Sequence, residues 1–310
     1  MSAGADALYA KTILKKGSKS FAAAATLLPA GKREDVARLY AWCRHADDLI
    51  DGQEHGHGAQ PVADAAGHLD RLRARTDAAL GGERTGDAIF DGFGEVARRH
   101  GISRPLAHDL LDGFAMDVSG RTYATVSDLA TYCYGVAGSV GVMMALVLGV
   151  RPEEADTLDR AADLGLAFQM TNIARDVIAD AQIGRIYLPT DWLAFEGVPS
   201  TPEAVLAADN AAGVWRAASR LVDAAEPYYA SAATGIARLP YRTAWAIGSA
   251  GAVYRAIGMK RRGGGPRRLA TRVGTSAARK LVLITEAAIA ARRSGPERPR
   301  DGLWTRPPRP

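Results

Sequence analysis

Arg44-His45-Ala46-Asp47-Asp48-Leu49-Ile50-Asp51 and Gln169-Met170-Thr171-Asn172-Ile173-Ala174-Arg175-Asp176-Val177-Ile178-Ala179-Asp180 each place acidic side chains four residues apart in sequence with helical periodicity. At about 100° per residue, Tyr40, Arg44, Asp47, Asp48 and Asp51 share one stripe of a helix, and Gln169, Asn172, Asp176 and Asp180 share another. Each helix therefore carries a ladder of carboxylates. Like charges at this spacing cost a bare helix roughly 0.2–0.5 kcal/mol per pair, so two ladders call for a compensating cation. The plain alternative is a pair of solvated faces neutralised by Arg44 and Arg175. Against it, both runs sit in apolar sequence (Leu39, Tyr40 and Trp42 before the first; Leu164, Leu166 and Phe168 before the second), where an idle carboxylate is expensive.

The chain has 310 residues, of which 47% are hydrophobic. That content is ordinary for a globular protein and comes mostly from Ala, Leu and Val in helical periodicity, so the fold class is read as all-α. No linker separates two cores, and one large domain is expected. The pattern predicts helices over 35–50, 64–79, 105–118, 127–150, 152–179, 202–225 and 277–291, several opened by Asp, Ser or Pro and closed by Gly. The longest uncharged stretch, 135–150, is shorter than the roughly 20 residues that span a bilayer, and is read as a buried helix. Gly135, Gly138 and Gly141 leave one face of it nearly bare. That face either packs closely on another helix or shelters an apolar ligand beside Val136, Val140, Met143 and Met144.

Cys43 and Cys133, the two cysteines, both lie in apolar helical sequence, which argues against a disulfide framework and fits a reducing compartment. Lys11, Lys15 and Lys16 interrupt any signal-like apolar run, so a cytoplasmic location is expected. The net charge of +5 invites a nucleic-acid reading. It is set aside, because no recognition motif is present and the acids cluster where a phosphate backbone would be repelled. Residues 292–310, rich in Pro and Arg, read as a loose tail, with Trp304 an anchor to the body or to a membrane surface.

Ser18, Lys19 and Ser20 at a helix start, with Arg44, Arg175 and Arg272, supply donors for a diphosphate. Metal, cationic donors and an apolar pocket together suit ionisation of an allylic diphosphate, in which the leaving group departs with its electrons. A serine elbow, a P-loop and a dinucleotide fingerprint are all missing from the sequence, so no nicotinamide cofactor is expected. His55 and His57, flanked by glycine, read as a solvent-exposed loop.

These residues resemble the bacterial phytoene synthases of the squalene/phytoene synthase family. The likeness is carried by Gly17-Ser18-Lys19-Ser20-Phe21, Tyr40-Ala41-Trp42-Cys43-Arg44-His45, Gly113-Phe114-Ala115-Met116-Asp117-Val118 and Tyr132-Cys133-Tyr134-Gly135-Val136-Ala137-Gly138. It continues through Leu164-Gly165-Leu166-Ala167-Phe168-Gln169, Gly184-Arg185-Ile186-Tyr187-Leu188-Pro189, Glu226-Pro227-Tyr228-Tyr229 and Leu303-Trp304. The resemblance implies an all-helical isoprenoid-synthase fold over 1–291 with a central cavity. It also implies condensation of two geranylgeranyl diphosphates to phytoene through prephytoene diphosphate, the first committed step of carotenoid biosynthesis. Asp47, Asp51, Asp176 and Asp180, assisted by Asn172, would then hold magnesium, with manganese as the alternative metal. Ser18, Lys19, Ser20, Arg44, Arg175 and Arg272 would hold diphosphate, while Tyr40, Tyr132, Gln169, Asn172, Tyr187 and Tyr254 line the inner site; Tyr254 joins the aspartates and Arg44 and Arg175 as catalytic. Asp48 is placed behind them as an acceptor. Alternatives are a squalene-type or presqualene diphosphate synthase on the fifteen-carbon substrate, or a non-catalytic prenyl-lipid carrier. So apolar a substrate implies peripheral contact with the inner face of the cell membrane, and contact with downstream carotenoid enzymes is a further expectation.

Overall fold

The computed structural model describes residues 10, 12–14, 16, 19–52, 62–293, 295 and 297–307, and for 19–21 the backbone only. Ser18, His55 and His57 lie outside the described residues. Within them every regular element is helical, as the periodicity predicts. In chain order these are α1 (Lys19–Ala25), α2 (Ala30–Asp51), α3 (Ala65–Leu80), α4 (Ala88–His100), α5 (Arg104–Val118) and α6 (Val126–Cys133). A single π turn (Tyr134–Gly138) leads into α7 (Ser139–Leu148). There follow α8 (Ala155–Gln182), α9 (Thr190–Phe195), α10 (Pro202–Leu206), α11 (Ala211–Ala237), α12 (Tyr241–Arg262) and α13 (Ala277–Ala290).

Helix α8 is the axis of the molecule. It is buried along most of its length, from Thr157 to Ala181, and α7, α11 and α12 pack around it. Helix α2 turns its outer face to α4, where buried Asp35 receives Arg99 (2.6 Å) and His100 (2.8 Å). Trp42 is fully buried, stacked on Phe93 with centroids 3.9 Å apart, and its indole N–H donates to Thr76. With those positions spent on α4, the stripe carrying Tyr40, Arg44, Asp47 and Asp51 is left facing inward. Gly52, at φ 58°, ends the helix in the left-handed conformation that glycine adopts at low cost.

Four expectations are corrected. The helix predicted over 127–150 is interrupted by the π turn, which inserts its extra residue where the chain crosses α5: a Cβ on Gly135 would stand 2.8 Å from the Gly113 Cα. The helix predicted over 202–225 is two. Ala207 is extended, Asn210 Nδ2 donates to the Ala204 carbonyl, and α11 then runs on through Pro227 to Ala237. Helices α4, α9 and α12 fall outside the predicted segments. Helix α12 escaped because α8 covers one side and α13 the other, which blurs the apolar stripe. Finally, residues 297–307 are not loose but strapped onto the body, where Arg300 forms a two-bonded pair with buried Asp163 (2.7 and 2.9 Å) and Trp304 lies on Tyr134. Trp304 thus anchors to the body.

The glycine face serves both readings offered above. A Cβ on Gly141 would meet the Ala161 carbonyl oxygen at 2.3 Å, and one on Gly165 the Ala137 oxygen at 2.3 Å, so backbones cross in close contact. That approach turns Val136, Val140 and Met144 into a cavity beside α8, while Met143 is buried in the core. The segment Val126–Leu148 is long and apolar enough to cross a membrane, yet 67% of its most apolar window is buried within the fold. Gly165→Ala should destabilise the protein by about 1–3 kcal/mol through overpacking, seen as a lower urea midpoint with unchanged slope. An unchanged midpoint would mean that the crossing is slack.

Candidate active site

Helices α2, α5, the π turn, α7, α8, α11 and α12 enclose a cavity of about 560 Å³ with two chemically different ends. One end is lined by charge. Asp47 and Asp51 of α2 face Asp176 and Asp180 of α8 across it, as the matched stripes predict, with Arg44, Arg175 and Arg272 among them. The other end is apolar, formed by side chains such as Val136, Val140, Met144, Leu164, Ile236 and Leu239. Tyr40, Tyr132, Gln169, Asn172, Tyr187 and Tyr254 all lie on the wall. Cys43 is there too, and burial pushes its thiol up to about 12, which keeps it protonated. Of the first diphosphate group, Lys19 and Ser20 open α1, with only their backbone described. Asp48 stands outside the cavity wall, 3.8 Å from Arg44.

Each ladder is held by arginine. Arg44 reaches Asp47 at 2.5 Å, Arg175 Nε donates to Asp176 at 2.9 Å, and Arg272 approaches Asp176 at 3.3 Å. Arg272 owes its position to Arg261, in the last turn of α12. The guanidinium of Arg261 is buried and donates to the carbonyls of Arg175, Arg268 (2.9 Å), Leu269 (3.0 Å) and Thr271 (3.3 Å), tying the loop before Arg272 onto α8.

Two charged residues here were quoted in motifs but given no role. Asp117, at the end of α5, accepts hydrogen bonds from Tyr132 (3.0 Å) and Tyr187 (2.7 Å), whose rings are 5.1 Å apart. Arg185, in the turn after α8, pairs with Asp51 at 2.7 Å and so ties that turn to the first ladder. Each is a single charge with no repeat to mark it in sequence.

Burial, reinforced by Asp51, Asp48 and Asp117, pushes Asp47 up to about 7 against the opposing pull of Arg44. The side chain keeps 32% of its surface open, so solvent screens part of that effect. Burial and the Asp176 charge push Asp180 up to about 8, and burial lifts Asp117 to about 6 despite Arg185 and the two phenols. Burial also holds Tyr132 and Tyr187 well above the ordinary phenol range, so both remain donors. Among the described residues no three acidic, His or Cys side chains converge on one point, and Asp47, Asp51 and Asp176 are each paired with an arginine. Two oxygen donors are nevertheless unspent: Asn172 Oδ1 is buried without a partner, and Asp180 has no ion pair among the described residues. Crowded carboxylates with spare oxygens fit a hard divalent cation.

A polyanionic head and a long hydrocarbon tail are what such a two-ended cavity accommodates, and the helical shell around it has the isoprenoid-synthase architecture. The family model described as squalene/phytoene synthase matches residues 14–279. A 15-cis-phytoene synthase from a Paracoccus species is 50% identical over 303 residues, covering 95% of each chain. A phytoene synthase from Pseudescherichia vulneris is 49% identical, covering 96% of this chain and 97% of its own. Among solved structures, a dehydrosqualene synthase in complex with ligand superposes with a TM-score of 0.79 at 28% identity, over 93% of this chain and 97% of that one. The chain belongs to the squalene/phytoene synthase family.

Raised carboxylate values mean that the metal-free fold holds protons which the unfolded chain releases near pH 4, so stability falls as pH rises from about 4 through about 8. In chelator-treated protein, Asp180→Asn should raise the thermal midpoint relative to the parent at about pH 8 and leave it unchanged at about pH 4. Equal midpoint differences at both would show that Asp180 is not protonated in the fold.

Proposed function

We propose that this chain joins two molecules of geranylgeranyl diphosphate head to head to give phytoene, the entry into carotenoid biosynthesis. The observation that carries this reading is the pair of facing aspartate ladders at the charged end of an apolar cavity, in a chain about half identical over nearly its whole length to a curated phytoene synthase. The enzyme is a prenyltransferase of the 15-cis-phytoene synthase type. In the first step the C–O bond of one substrate breaks, diphosphate leaves with the electron pair, and the allylic cation is attacked by the double bond of the second molecule. Loss of a proton closes the cyclopropane of prephytoene diphosphate. In the second step its C–O bond breaks, the cation rearranges, and a second proton is lost. The balance is two diphosphates and two protons released, with no reductant consumed.

Asp47, Asp51, Asp176 and Asp180, with Asn172, would hold magnesium, or manganese in its place. The bound metal supplies Lewis-acid stabilisation of the departing diphosphate. Arg44, Arg175 and Arg272, to which the geometry adds Arg185, cover the diphosphate oxygens, as would Ser18, Lys19 and Ser20. Deeper in, Tyr40, Tyr132, Tyr187 and Tyr254 present aromatic faces toward the cation, and the apolar wall excludes water. Phe168 stacks on Tyr254 with centroids 4.3 Å apart and fixes that ring. Gln169 offers an amide dipole to the same space. The oily product implies transient contact with the inner face of the cell membrane from the cytoplasmic side, and hand-over to the next carotenoid enzymes there.

The decisive experiment incubates purified protein with magnesium and either geranylgeranyl or farnesyl diphosphate, without nicotinamide, and analyses the extracted lipid by mass spectrometry. Phytoene from the longer substrate is expected. A thirty-carbon product alone would move the chain to the squalene-type branch, and no turnover of either would favour the carrier. Asp47→Ala and Asp176→Ala should each lower turnover by about 10³-fold or more with the circular dichroism unchanged. Normal product from either variant would overturn the metal assignment.

A further inference from the structure

Residues 297–307 cross the outer side of three elements whose inner sides wall the apolar end of the cavity. On α8, Asp163 is 1% exposed and accepts from Arg300 and from the Ser231 hydroxyl (2.5 Å), while Asp159 accepts from Arg306 (2.5 Å). Arg160, which itself lines the cavity, donates to the Arg298 carbonyl at 2.9 Å. On α11, Thr234 accepts from the Arg298 amide (3.1 Å) and the Tyr228 hydroxyl from the Trp304 amide (3.2 Å). At the π turn, the Trp304 ring lies 4.8 Å from that of Tyr134, and its indole N–H donates to Thr131 at 3.2 Å. Tyr134 opens the turn that presents Val136 and Ala137 to the cavity.

A π turn carries one residue more than the helix it interrupts, so its register is held by what packs against it. Here α5 and α8 cross the middle of the turn while Trp304 packs on Tyr134, its first residue, and a buried carboxylate that would otherwise lose its cation makes the strap's attachment through Arg300 hard to release. We propose that the strap is a brace for the apolar wall, with Trp304 and Arg300 as positioning residues. It governs how much of the cyclopropyl intermediate stays bound for its second ionisation rather than escaping. This rests on the two-step reaction given above. The first ionisation depends on the charged end of the cavity, whose aspartates the strap does not touch among the described residues; retention of the bulky intermediate depends on the wall that it does touch.

Because an Arg300 variant leaves Asp163 buried and unpaired, the test is placed on the ring. Full-length Trp304→Ala and Trp304→Phe are compared with the parent in two measurements: partition between cyclopropyl diphosphate and hydrocarbon product, and amide hydrogen exchange across 134–148 without substrate. For Trp304→Ala we expect substrate consumption within about threefold of the parent, a roughly tenfold larger share of released intermediate, and faster exchange in 134–138. Trp304→Phe keeps the ring contact and should restore both. An unchanged partition in Trp304→Ala, unchanged exchange, or a uniform fall in both steps that follows a lower thermal midpoint would overturn the proposal. If the parent consumes no prenyl diphosphate, the reaction reading fails separately, and the exchange comparison alone decides whether the strap braces the wall.

Discussion

Repulsion among half-buried carboxylates is the constraint around which this fold is organised. Asp47, Asp51, Asp117, Asp176 and Asp180 share one end of a cavity, and nothing in an apolar interior would bring so many like charges together at no cost. The scaffold answers with arginine. Arg44 and Arg175 come from the same helices as the acids they hold, Arg185 bridges from the following turn, and Arg272 is brought in by a loop that buried Arg261 organises. The remaining unbalanced charge is expressed as raised carboxylate values.

The same logic explains what the sequence reveals and what it hides. The two ladders were legible because i,i+4 spacing is local: two acids four apart in apolar sequence imply a cation whatever the tertiary fold. Asp117 and Arg185 lacked that mark, since each is a single charge whose partners, Tyr132 and Tyr187 for one and Asp51 for the other, arrive from distant sequence. Helix α12 was missed for the opposite reason, because burial on two sides removes the periodic contrast on which a helix is recognised.

The C-terminal segment is the instructive error. Composition rich in Pro and Arg reads as solvated chain, yet α8 carries a second pair of acids four apart, Asp159 and Asp163, embedded beside Leu158, Ala162 and Leu164. The argument that called for a cation at the two ladders calls for one here as well. It is supplied by Arg300 and Arg306, which is how a segment with almost no apolar residues is held on the body. Leu303 and Trp304 supply its only large apolar contacts, and the structure uses both against the core.

Close backbone crossings connect these two kinds of acid pair. Gly165 and Gly141 bring α8 against α7 and the π turn at distances no side chain permits, so a shift of α8 at Asp163 is transmitted to the wall at Leu164 rather than absorbed by soft side chains. Helix α8 thus has the cavity-lining acids Asp176 and Asp180 toward its C-terminal end and the anchoring acids Asp159 and Asp163 toward its N-terminal end. Rigidity along that one helix is what lets a charged end and an apolar end of the same cavity keep a fixed spacing. A reaction that ionises two diphosphates in succession within one enclosure depends on that spacing, since the hydrocarbon must stay sheltered from water while each leaving group is held at the charged end.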